Sequence, residues 1–502
     1  MKRAYLYNSL SGILFIVINA IVQLVSIPVI IRYLGADGYG VFILVNTVGM
    51  FGYFINIGFN FSVLKFVSEQ GVGRESDKDI VLSFSAVVVL SAIVTAVIVY
   101  WNEEILRSVL GVPESFINTG TISLLNAIVL TNALMFVGQV ITAVLDSIKK
   151  IYISNSLQIM LLTMNRIGVI AVLIASGSFY EISIIYEVTA VAWFLILLIT
   201  FFKNWKFTDI TGVFHGWKPR LRKHIDYGFK IYMTSLAGFF YEPIAKVLIA
   251  RFIGINEVGF FDIAFRIKTL VWGVIEKGLY PLMPKIASGS EEMVKPLVHW
   301  VSRKLLLLAL PFSVFFYFIA DPVVRLWLGG NPSEVIYAVR VLVIVHLVTA
   351  SGIPMYFFLL MKGHPGKTFI IQSLNAFFGI LYFFPLVALY GFQGAIIGFV
   401  GAVATTQLLL IRWQSSIAQS RLLSGPTEMW KSAMISAGLA AVNIIITSSV
   451  SSLFSMAILV GIVDGVLGVI AVRVFSIVSN NDIRVAMGRI PFTSIGIRGV
   501  DA

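Results

Sequence analysis

Long apolar stretches recur along this chain, near residues 10–32, 41–64, 80–101, 117–146, 151–176, 182–202, 226–250, 259–284, 305–327, 335–361, 368–390, 393–411, 432–451 and 453–475. About 20 such residues span a bilayer as a helix. The runs are too long for strands and lack alternation, so a barrel is excluded. Only 12% of the 502 residues are charged and 58% are hydrophobic, against about 25% charge in a soluble globular chain. The expected fold class is all-α, a polytopic membrane protein of about 14 transmembrane helices. Met1, Lys2 and Arg3 lead into a full-length span, which reads as an uncleaved signal-anchor. Cysteine is absent, which excludes disulfides, thiol nucleophiles and cysteine-ligated metals.

Charge placement orients the spans. With the N-terminus in the cytoplasm, 26 of the 37 Lys and Arg fall in inner loops and tails, Arg473 at the inner end of the last span included. Four fall outside (Arg32, Arg107, Arg251 and Arg325) and seven lie within spans. This asymmetry obeys the positive-inside rule and puts both termini in the cytoplasm of a multi-pass inner-membrane protein. The net charge of +12 is then mostly a topology signal, plus attraction to anionic membrane lipids. It does not call for nucleic acid, since no folded module stands behind it. The longest inner connection, residues 203–225, holds Lys203, Lys206, Lys218, Arg220, Arg222 and Lys223. It reads as a basic, lipid-facing cytoplasmic linker.

One loop design occurs twice. "RYLGADGYG" from Arg32 to Gly40 and "RFIGINEVG" from Arg251 to Gly259 align at an offset of 219, with Phe42 on Phe261. The first joins spans one and two and the second joins spans seven and eight. Six spans separate them, so the two units enter the membrane in the same orientation, as a parallel repeat. The expected organisation is an N-lobe at 1–202 (helices 1–6), the linker at 203–225, and a C-lobe at 226–414 (helices 7–12). Helices 13–14 at 415–480 are an addition, followed by a cytoplasmic tail at 481–502.

"SIPVIIRYLGADGYGVFILV", following a first span with Asn19 and Gln23, resembles the start of the Wzx-type polysaccharide flippases. These form the polysaccharide branch of the multidrug/oligosaccharidyl-lipid/polysaccharide exporter superfamily. "VLIARFIGINEVGFFDIAFRI" followed by "LYPLMPKIA" is similar to that family's seventh and eighth helices, and "ALYGFQGAIIG" to its turn between helices eleven and twelve. The resemblance covers roughly residues 5–475. It implies a MATE-like two-lobed fold that moves undecaprenyl-pyrophosphate-linked sugar repeat units, for example O-antigen units, across the cytoplasmic membrane. It also implies other polysaccharide assembly proteins as partners. The pair Glu242 and Lys246, with Pro243 between them, departs from many relatives.

Charges inside spans mark mechanism, because each is costly in hydrocarbon. The basic ones are Arg166, Lys230, Lys246, Arg266, Lys268, Lys277 and Arg340; the acids are Glu187, Glu242, Asp262, Glu276 and Asp464, with Asp146 near a span end. Arg166 follows Asn155, Gln158 and Asn165 along a polar stripe of span five. A pyrophosphate needs Arg or Lys to replace its water, so Arg166 and Lys268, supported by Lys246 and Arg266, are the candidate substrate-binding cations. Glu242 and Asp262 stand four residues before Lys246 and Arg266, as charge or coupling partners. Lys230, Lys277 and Arg340 lie near span ends, within snorkelling reach. His346 reads as a hydrogen-bonded helix contact, and Tyr39, Trp272 and Tyr280 as interfacial anchors or sugar platforms.

No phosphate-cradling P-loop and no metal-ligand spacing occurs, so no cofactor or metal is expected. Outer loops stay within about fifteen residues, too short for a catalytic domain. That disfavours a membrane ligase or polymerase of polysaccharide assembly. A cation-coupled multidrug exporter would share the fold, but the basic excess within the spans argues against it.

Overall fold

A computed structural model describes residues 2–51, 58–175, 177–239, 241–279, 282–362, 364–418 and 426–474. Among them there are helices and turns and no strand. The protein is an all-α, polytopic membrane protein. Among the described residues, nine helical stretches are long and apolar enough to cross a bilayer. Two of them, Val17–Gly49 and Gly366–Trp413, are too long for one passage. Glycines at positive φ break these two, Gly35 at φ 71° and Gly391 at φ 55°, so the nine cover eleven of the expected spans. Helices also stand at the seventh and eighth spans, whose charges dilute their hydropathy, and at the last, where the apolar stretch Leu453–Gly468 is shorter.

The expected loops at 32–40 and 390–394 shrink to single residues. The helix α1, Lys2–Phe51, runs through the first and bends only at Gly35. The "YGFQG" turn is the one residue Gly391 within a helix that spans Pro365–Ala418. A Cβ at Gly394 would collide with the carbonyl of Leu386, so glycine is required where the chain doubles back.

Two compact units form, residues 1–259 and 260–502. The first contains α1, α2 (Phe59–Gln70), α3 (Arg74–Tyr100), α4 (Thr119–Ser147), α5 (Ile151–Ala175), α6 (Phe179–Asn204), α7 (Trp217–Phe239) and α8 (Tyr241–Phe252). Its core gathers Phe59, Val140, Val144, Trp193, Leu197 and Trp205. Gly138 on α4 lets the ring of Trp193 approach closely, 2.5 Å from where a Cβ would stand. The helix α9, Ile255–Leu279, begins in this unit and continues into the second.

The second unit adds α10 (Leu282–Ser288), α11 (Glu291–Leu328), α12 (Ser333–Thr349), α13 (Ile353–Met361), the broken α14 (Pro365–Ala418), α15 (Pro426–Ser449) and α16 (Leu453–Val474). Leu307 on α11 packs with Ile435 and Leu439 on α15, and the Ser432 hydroxyl donates to Leu307 O at 2.6 Å. Asn443 joins the last two helices. Its amide donates to both oxygens of Asp464, at 2.8 and 2.9 Å, and both side chains are buried.

Connections expected on one side of the membrane pack with each other. The Lys150 ammonium donates to Asn204 Oδ1 at 2.6 Å, and Lys362 Nζ to Gly289 O at 2.7 Å. Gly111 faces Arg251, whose Cα lies 3.5 Å from where a Cβ would stand.

Candidate functional site

In the first unit, Arg166 sits half-buried on α5, and no hydrogen bond or ion pair holds it among the described residues. Its helix is anchored by polar contacts on two sides. Asn165 is buried and its amide reaches Thr189 Oγ1 on α6 at 3.4 Å. Asn155 donates to Ser11 Oγ on α1 at 2.9 Å. Eleven residues separate Asn155 from Arg166, which at 100° per residue places them about 20° apart and roughly 16 Å along one face. The polar stripe read from the sequence is therefore one face of α5, turned toward α1 at its start. Lys246 on α8 is 3% exposed and donates to Glu242 Oε1 at 2.6 Å, completing the pair expected four residues apart.

In the second unit, Arg266 Nε donates to Asp262 Oδ2 at 2.5 Å, and Asp262 is fully buried. Lys268 lies in the same helix with its ammonium 3.6 Å from the centre of the Phe265 ring, a cation–π contact. Two residues separate Arg266 from Lys268, so they leave α9 about 160° apart and do not share a face. His346 is buried, 2.7 Å from Leu342 O and edge-on to Trp272, as a hydrogen-bonded helix contact should be. Tyr39 is 2% exposed and packs on Gly259, so it is neither an anchor nor a sugar platform. Tyr280 and the side chains of Lys230 and Lys277 lie outside the described residues.

The four cations divide by chemistry. Lys246 and Arg266 are neutralised by acids one helical turn away, Lys268 lies against an aromatic ring, and Arg166 has no carboxylate partner among the described residues. A cation of the last kind within a span can be satisfied by a visiting anion. Among the described residues no group of three His, Asp or Glu gathers as a metal site.

The structure also shows a cluster that the sequence reading passed over. Asp77 and Asp79, at the start of α3, are both fully buried and hold the two ends of the linker. Asp77 accepts from Trp205 Nε1 at 2.9 Å, Thr208 N at 2.7 Å and Thr208 Oγ1 at 2.6 Å. Asp79 accepts from Arg220 at 2.6 Å and from Gln70 at 2.9 Å, with Lys223 3.7 Å away. Arg220 also reaches Glu75 at 2.8 Å. The linker is thus not a free lipid-facing run: from Trp217 it is helix, and Arg220 and Lys223 turn inward to the buried Asp79. Between these clamps, the Thr211 hydroxyl and N–H hold the Asp209 carboxyl below the usual carboxylate range. The available signal was the acid pair in "ESDKD" facing a basic linker.

A family model described as polysaccharide biosynthesis protein matches residues 5–287. No curated protein sequence matches the chain. Among solved structures, the lipid II flippase MurJ in an inward closed conformation superposes with a TM-score of 0.71, at 14% identity, covering 93% of this chain and 97% of that one. An inward-facing multidrug resistance MATE family transporter of the MOP superfamily gives 0.62 at 15% identity, covering 80% and 94%. A MOP superfamily transporter from Pyrococcus furiosus, described as having a binding pocket of reverse polarity, gives 0.54 at 15% identity, covering 83% and 96%. At these identities the likeness establishes a MATE-like fold.

Proposed function

Because the chain belongs to the polysaccharide biosynthesis protein family, we propose that it is a Wzx-type flippase, moving undecaprenyl-pyrophosphate-linked oligosaccharide repeat units between leaflets. The direction is from the cytoplasmic to the outer leaflet of the inner membrane, by alternating access, for O-antigen, capsule or exopolysaccharide assembly. Both termini are cytoplasmic. Residues 1–202 and 226–414 act as the two parallel lobes, joined by the linker at 203–225. Arg166 and Lys268, with Lys246 and Arg266 in support, receive the pyrophosphate. Glu242 and Asp262 release their lysine and arginine to it, or couple transport to a cation. Other polysaccharide assembly proteins supply and consume the lipid-linked unit.

The observation that carries this reading is Arg166: a half-buried guanidinium in mid-span, on a polar helix face and without a carboxylate partner among the described residues. A permanent cation in that setting suits a phosphate, which it can bind through two parallel hydrogen bonds. It does not suit a cationic drug, the cargo of the multidrug exporters that share the fold. An enzymatic role lacks a housing, since the outer connection between Tyr100 and Thr119 holds only short helical turns.

The test is complementation of a strain deleted for its own flippase and carrying the matching sugar pathway. Restored surface polysaccharide supports the reading. Drug resistance without polysaccharide would replace it by the exporter.

A further inference from the structure

Between α11 and α12 lies a cavity of about 530 Å³ that the transport reading does not use. Its charged lining is Asp321, Arg325 and Arg340, and its aliphatic lining includes Val341, Ile344 and Val345. Arg325 is occupied, its Nε donating to Asp321 Oδ1 at 3.0 Å. Arg340 is held differently. Its Nε donates to Tyr317 O at 2.9 Å, and its guanidinium carbon stands 4.3 Å from the centre of the Tyr317 ring. These contacts orient the guanidinium plane, and among the described residues no carboxylate pairs with it. Tyr317 is 44% exposed, so the site opens to the side of the helix pair.

Arg340 lies seven residues into α12, about 10 Å below its start. Val341, Ile344 and Val345 follow Arg340 along α12, away from the start of that helix. The polar-to-apolar order matches a glycerophospholipid entering from the bilayer, phosphate first and acyl chain below. Two arginines and one aspartate leave one net positive charge, which suits a phosphodiester with its single negative charge better than a pyrophosphate. A pre-oriented guanidinium binds phosphate oxygens through its fork at little ordering cost.

We propose that the α11–α12 cavity is a binding site for an anionic glycerophospholipid, with its phosphodiester on Arg340 and one acyl chain along Val341, Ile344 and Val345. In the proposed topology the lipid comes from the outer leaflet. The site stands whether or not the chain moves lipid-linked sugars, because none of its residues belongs to the proposed transport cations.

The experiment is lipid retention by the purified full chain, read by native mass spectrometry. Dioleoylphosphatidylglycerol is titrated against dioleoylphosphatidylcholine, with glycerol 1-phosphate as a soluble competitor. The wild type should retain one phosphatidylglycerol in preference to phosphatidylcholine. Arg340→Gln should weaken that retention about tenfold, the size of one charge-assisted fork. Val341→Trp, which fills the cavity and spares the arginine, should weaken it as well. This variant keeps the proposal testable if Arg340→Gln fails to fold. Equal retention of the two lipids, or unchanged retention in Val341→Trp or in a folded Arg340→Gln, would overturn the site. Displacement by glycerol 1-phosphate at matched concentration would mean a phosphate site rather than a lipid site, and would also overturn it.

Discussion

A Cβ on Gly40 would stand 2.8 Å from the carbonyl carbon of Ile255, closer than side chains tolerate. The contact is returned: a Cβ on Gly259 would stand 2.9 Å from the Tyr39 ring and 3.8 Å from Ala36 O. Gly40 matches Gly259, and Ala36 matches Ile255, at the offset of 219 that relates the two loops. All of these residues lie in the first unit, so the two copies of the loop pack on each other there with no room for a side chain at either glycine. Gly40→Ala should therefore lower stability by about 1–3 kcal/mol, as overpacking does. Gly273→Ala is the opposite case. It lies within α9 with nothing within 4 Å of its Cβ position, so it should be neutral or stabilising by up to about 1 kcal/mol. Thermal unfolding of both variants in detergent checks the contrast.

Arg220 and Asp79 make the second prediction. Asp79 is fully buried and Arg220 is its closest cation. Arg220→Ala should destabilise by up to about 3 kcal/mol, because the buried carboxylate loses its closest cation. Arg222→Ala removes only an exposed pair 3.7 Å long with Asp226 and should change stability by less than about 0.5 kcal/mol. Equal unfolding midpoints for the two variants would show that the linker is not clamped at this end.

Asn443 and Asp464 make the third. Asn443→Leu leaves a buried carboxyl without its amide donor and should cost about 1–3 kcal/mol. The double variant Asn443→Leu, Asp464→Leu removes both polar groups from the α15–α16 contact and should recover most of that loss. A double variant weaker than either single one would mean that the pair serves something other than helix packing.

Hydropathy and charge made the spans legible, because a bilayer imposes length and sidedness on every segment independently of its neighbours. Gly35 and Gly391 were legible as turns for a local reason: only the backbone freedom of glycine allows so sharp a bend. The pairs Glu242–Lys246 and Asp262–Arg266 were legible because helical spacing alone brings such residues together. The clamps at Asp77 and Asp79 were not. Their partners Trp205, Thr208 and Arg220 lie more than 120 residues away, and no periodicity selects them. Tyr39 misled for the same reason: an aromatic beside a loop looks interfacial until the facing glycine is known. The opposed directions of Arg266 and Lys268 were available from their spacing but went unused.

The fourth prediction concerns topology. A periplasmic phosphatase fused after Ala502 should be inactive, and a cytoplasmic reporter at the same place active. Phosphatase activity there would make the span count odd.

The central claim is that cations in the spans carry a lipid-linked pyrophosphate across the bilayer. It is tested most directly by flipping of an undecaprenyl-pyrophosphate-linked oligosaccharide in proteoliposomes, read by its protection from a membrane-impermeant reagent. Wild-type protein should move the lipid. Arg166→Ala and Lys268→Ala, reconstituted in equal amounts, should each slow it at least about tenfold, the loss of roughly 1.4 kcal/mol of phosphate contact. Arg166→Lys should fall between, since it keeps the charge and loses the fork. Wild-type flipping rates in both alanine variants would contradict the account.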